Sequence, residues 1–70
     1  MAMEYAVQRL EMGDVVLIDL PEEEGKVEAK VVRAIDRTDT IVRVTLRVEG
    51  REEFVREWPV DGTVTVVRGP

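Results

Sequence analysis

Cysteine, histidine, serine and asparagine do not occur among the 70 residues, and the only glutamine is Gln8. Without cysteine or histidine there is no zinc finger, no thiol nucleophile and no imidazole acid or base. With serine missing as well, any chemistry must rest on arginines, carboxylates, threonines or the backbone. Aromatic side chains are scarce too, at one each of Trp, Tyr and Phe. No apolar run approaches the ~20 residues of a membrane span, and no signal-peptide pattern opens the chain. No membrane partner is therefore expected, and a cytoplasmic location is. The lack of cysteine fits that reducing compartment. No metal site, cofactor or catalytic group is expected, so the chain reads as a non-enzyme.

Positive charge is in deficit. Ten basic residues stand against fifteen acidic ones, for a net charge of −5. Nucleic-acid-binding domains draw most of their affinity from phosphate contacts made by a basic face. The net field of this chain repels a polyanion, although a local arginine patch could overcome it; nucleic acid is therefore an unlikely partner and another protein the expected one. Eight of the ten cations are Arg, the type better suited to carboxylate pairing and interfaces. Monomer and homodimer are both compatible with the sequence.

What the chain does have is valine, at 14 of 70 positions, and β-branched or aromatic residues at 25. These types prefer a pleated, half-buried surface. Turn-forming clusters at Gly13-Asp14 and at residues 21–25, 36–39, 49–50 and 59–62 divide the chain into short segments. Strands are expected near 14–20, 26–36, 40–49, 52–58 and 63–68, with a short turn or 3₁₀ segment before the last. Residues 1–12 form an N-terminal segment readable as strand or as helix, and residues 13–70 form one small domain. A core of this size rarely yields more than ~3–5 kcal/mol of net stability, so the sheet must close efficiently or bury surface in a partner.

The clearest strand is 40–49, where Val42, Val44, Leu46 and Val48 alternate with Arg43, Thr45, Arg47 and Glu49. This is the period-2 pattern of a strand with one buried face. A tight turn at Arg37-Thr38 places Val31 opposite Val44, Ala29 opposite Leu46, and Glu28 opposite Arg47 outside. A short connection around Gly50 places Phe54 opposite Leu46 and Trp58 opposite Val42. It also sets Arg47 against Glu53 and Arg43 against Glu57. In these registers Arg33 and Arg56 fall on the apolar side. An unpaired buried guanidinium is too costly, so a bulge must rotate each outward or each must sit at a rim. The doublet Val31-Val32 is the natural bulge site.

The segment LEMGDVVLIDLPEEEGKVEAKVVRAI resembles the opening of SH3-like small barrels, with a Gly-Asp start, an acidic loop containing Gly25, and a valine-rich strand. The resemblance implies an all-β, single SH3-like barrel of about five antiparallel strands. Two relatives are similar over about a third of the chain. One is the KOW-type nucleic-acid or ribosome-associated module, matched at Gly25-Lys26-Val27. The other is the MazF-like endoribonuclease toxin family, matched at GDVVLIDLP. The KOW-type loop tends to be basic where this chain has Glu22-Glu23-Glu24. The toxins carry Arg-Pro followed by Ser or Thr in the second strand, where this chain reads KVVRAIDRT.

Four residues are the candidate interaction positions: Arg33, Arg37, Arg56 and Trp58. Gathered at one rim, the three arginines would be a concentrated basic patch able to hold a carboxylate or phosphate. The competing reading pairs them internally with Asp36, Asp39 or Glu52. Trp58 and Tyr5 could line an aromatic groove, but such sites need several aromatics, and Trp58 with Phe54 also suits the core. Glu22, Glu23, Glu24 and Glu28 read as a solvated loop, because consecutive glutamates diverge rather than converge on a cation. The functions expected are, in order, a non-catalytic protein-interaction module, a KOW-like nucleic-acid or ribosome-associated module, and a degenerate MazF-like endoribonuclease.

Overall fold

The computed structural model describes residues 2–70. Six strands form one antiparallel sheet: β1 (Met3–Ala6), β2 (Val15–Asp19), β3 (Lys26–Arg37), β4 (Ile41–Arg47), β5 (Phe54–Pro59) and β6 (Thr63–Arg68). Their order across the sheet is β1-β6-β2-β3-β4-β5, so β1 and β5 are the edges and the sheet is not closed by hydrogen bonds. The one helical element among the described residues is a single 3₁₀ turn, Val7–Arg9. No helix among the described residues is long and apolar enough to cross a membrane.

The sixth strand arises in the N-terminal segment 1–12, whose first residue, Met1, lies outside the described residues. That segment is strand and then 3₁₀ turn in succession. Val7 and Leu10 follow β1 and are almost wholly buried in the common core. The expected turn before the last strand is present, closed by the Gly62 N–H donating to the Pro59 carbonyl at 2.9 Å.

Alternation builds the core as expected. Val42, Val44 and Leu46 are inaccessible, whereas Arg43 and Arg47 between and beside them are exposed. Val16, Ala29, Val31, Val64 and Val66 meet them from the other strands. Burying a Val or Leu side chain contributes about 1.5–3 kcal/mol each, so a valine-rich inner face is what holds so short a chain together. Phe54 opposite Leu46, Trp58 opposite Val42 and Arg43 opposite Glu57 are all observed.

Gly13 and Asp14 begin β2 through specific contacts. Gly13 has φ +93°, and a Cβ there would lie 2.9 Å from the Pro70 Cβ. The buried Asp14 carboxylate accepts the Glu11 N–H at 2.9 Å.

The β3–β4 register differs from the expected one. Lys30 lies opposite Arg47 and Val31 opposite Leu46, followed by a shift, after which Ile35 lies opposite Val44 and Arg37 opposite Val42. Residues 32–34 thus face Thr45 alone. Two causes are visible. The hairpin turns at Asp39-Thr40 rather than at Arg37-Thr38, with Thr38 N–H bonded to the Ile41 carbonyl and the Thr38 hydroxyl accepting from Thr40 and Ile41 N–H. The bulge after Val31 then takes up part of the displacement. Arg33 occupies its centre at φ +68°, the only described non-glycine residue with positive φ. A left-handed conformation costs such a residue about 1–2 kcal/mol.

Candidate functional site

The four candidate residues separate into three places. The bulge turns Arg33 outward, where Nε and Nη2 grip the two carboxylate oxygens of Glu53 at 2.7 and 3.1 Å. This fork-to-fork pair holds the Glu53 carboxyl below its ordinary value, with the hydrogen bonds from Arg33 as the main cause. Arg33 is raised correspondingly, for the same reason. Arg37 lies elsewhere, donating to the Gln8 carbonyl and, at 2.7 Å, to the Leu10 carbonyl. It fastens the 3₁₀ segment to β3.

Arg56 and Trp58 remain together. Arg56 does not rotate out of β5; it is half-buried opposite Val44, on the side of Phe54 and Trp58. Its guanidinium sits 6.0 Å from the Phe54 ring centre and donates to the Asp19 carbonyl of β2 at 3.2 Å. A rim position with water access and a carbonyl acceptor removes the penalty of burying that charge. Trp58 packs against the core while lining a slot of about 330 Å³. Lys26, Asp19 and Thr63 share the slot. Lys26 and Asp19 form an ion pair at 2.9 Å. The slot therefore lies between β5 and the strands β2 and β6, to which β5 is not hydrogen-bonded as a ladder.

None of the three arginines takes a partner expected from the sequence, since Asp36, Asp39 and Glu52 are not their acceptors. Glu28 pairs with Arg68 at 3.0 Å rather than with Arg47. In the acidic loop, Arg51 reaches back from the β4–β5 connection to both Glu22 and Glu23. Among the described residues no three carboxylates converge on a metal position.

A second cleft, of about 630 Å³, joins Glu28 and Arg47, which the sequence reading set opposite each other, to residues that it did not single out. Val15, Val27 and Val48 contribute its apolar lining, and Lys30, Arg47 and Arg68 its cations. Glu28 and Glu49 also border it. The ladder places the cations in a row across β6, β2, β3 and β4, because Val15 lies opposite both Arg68 and Lys30, and Lys30 opposite Arg47. Neither Lys30 nor Arg47 takes part in an ion pair among the described residues. The signal available in the sequence was the Val31-Val32 doublet. The shift of the turn to Asp39-Thr40, partly offset by the bulge, exchanges Glu28 for Lys30 as the neighbour of Arg47.

No protein-family model, curated protein or solved structure matches the chain.

Proposed function

We propose that the chain is a non-catalytic protein-interaction module with the outline of an SH3-like small barrel, taking an extended segment of a partner protein along the free edge of β5. Support for the outline comes from the β2–β5 meander, the return of β6 to β2, and the Arg56–Asp19 hydrogen bond between strands that are not neighbours. The observation that carries the functional reading is the half-buried pair Arg56 and Trp58 lining a slot beside a strand with one unpaired edge. An edge strand offers unpaired backbone groups. Strand addition draws affinity from those groups and selectivity from nearby side-chain pockets. Trp and Arg are also the types that dominate interface energetics. Pro59 has no N–H and limits the pairing to the upstream part of the edge.

A KOW-like nucleic-acid module is second, supported by the three cations of the other cleft. The net charge of −5 weighs against it. A degenerate MazF-like endoribonuclease is third, because Arg33 is committed to Glu53 and no Arg-Pro follows it.

A photo-crosslinking residue placed at the exposed Val55 of β5 tests the leading reading in cells. The expected result is protein adducts that survive nuclease digestion and weaken with Arg56→Glu, with no such adducts from the equally exposed Met12. Adducts that vanish on nuclease digestion, or equal labelling from Met12, would overturn it.

A further inference from the structure

We infer that the outer cleft over Val15 is a binding site for an acidic, extended segment of a partner protein, with one of its carboxylates bridging Lys30 and Arg47. This goes beyond the β5 reading, since the cleft shares no lining residue with the slot of Arg56 and Trp58.

Like charges placed directly across a strand pair repel. The chain has an excess of acids with which to relieve such a pair, yet none is used at Lys30. The carboxylate of Glu53, whose charge is felt by Arg47, is gripped by Arg33 instead. Arg68, the third cation of the row, already holds the Glu28 carboxylate at 3.0 Å. The row crosses four strands, and at the usual spacing it spans ~15 Å. In an extended chain the side chains of one face recur every ~7 Å, so two or three carboxylates of one segment fit that length. Their aliphatic stems would pass over Val15, which shares the face of Lys30 and Arg47, and each carboxylate would receive charge-assisted hydrogen bonds. Single-stranded nucleic acid fits less well. It needs aromatic platforms for its bases, and Tyr5, Phe54 and Trp58 all lie outside this cleft.

The test is fluorescence anisotropy with a labelled peptide of alternating Glu and Thr, its Gln–Thr counterpart, and a labelled oligouridylate. The Glu–Thr peptide is expected to bind in a salt-sensitive way, and the Gln–Thr peptide at least about tenfold more weakly, as charge-assisted bonds are lost. Lys30→Glu is expected to weaken Glu–Thr binding by a similar factor while raising the Tm, because it sets opposite charges across the strand pair. Arg9→Glu, at an exposed cation outside both the cleft and the β5 slot, leaves this binding unchanged, which separates the cleft from a general effect of net charge. The inference is overturned if Glu–Thr fails to bind at about 1 mM peptide, or if Gln–Thr binds equally well. Undiminished binding by Lys30→Glu, a Tm lowered by that substitution, or tighter binding of oligouridylate would do the same.

Discussion

Arg43 and Arg47 stand on the same outer face of β4 and meet opposite surroundings. Arg43 has Asp36 opposite it on β3 and Glu57 on β5, and it binds Glu57 at 2.7 Å. Arg47 has Lys30 opposite it on β3 and no ion pair among the described residues. Between these two rungs lies the β3 bulge. Towards the turn, the ladder pairs opposite charges and neutralises itself. Past the bulge, the same alternation of residues brings two cations together. A local backbone irregularity has thus decided which part of the surface is electrostatically satisfied and which is open to a ligand.

The comparison can be broken most forcefully at the bulge. Arg33→Val puts a β-branched residue at φ +68°, where branching adds to the cost that Arg already bears, and is expected to destabilise by about 1 kcal/mol in urea unfolding. Arg33→Gly, which adopts that conformation freely, should lose distinctly less. Equal losses would show that the left-handed backbone is not what the site requires. A smaller effect comes from Arg43→Glu, which places like charges opposite Asp36 and Glu57 and should lower stability by about 0.2–1 kcal/mol. The same exchange of sign at Lys30 is expected to act in the other direction, so two substitutions of the same kind on one face would have opposite signs. The smallest effect is in acid. The Glu53 carboxyl lies below its ordinary value of 4.5 in the folded state, so its pairing stabilises the fold above that value. The contribution fades as pH falls through the lower, folded-state value. Glu53→Gln should therefore flatten the fall of Tm below pH 4.5 and leave the neutral-pH slope alone.

Period and punctuation were enough to read the β4–β5 hairpin from the sequence. Its inner face is continuous from Val42 to Leu46, and Trp58 opposite Val42, Phe54 opposite Leu46 and Glu57 opposite Arg43 satisfy both faces, with Arg56 opposite Val44 as the exception. The β3–β4 hairpin was harder because no glycine marks its turn. Asp39-Thr40 is held by the Thr38 hydroxyl, a weaker local signal than glycine. Val31-Val32 announced a bulge, but not how far it would move the register. The displaced turn, partly offset by the bulge, hid the cationic row, since a net slide of two residues keeps each side chain on its face while changing its neighbour. Arg56 and Trp58 were visible as candidates by type and position. That Arg33 and Arg37 sit apart from them depends on the bulge and on the placement of the 3₁₀ segment, which neither composition nor alternation encodes.

The pairing of β1 with β6 joins opposite extremes of the chain, setting Met3 against Val66. Closing so long a loop carries an entropic penalty that nearest-neighbour hairpins escape, and pairing over such a range is intrinsically slow. β1 is also short, and of its residues only Tyr5 is even half-buried. The first strand can therefore peel from the edge and reseat while the meander from β2 to β5 stays intact, with Val7 and Leu10 as the anchor that guides it back.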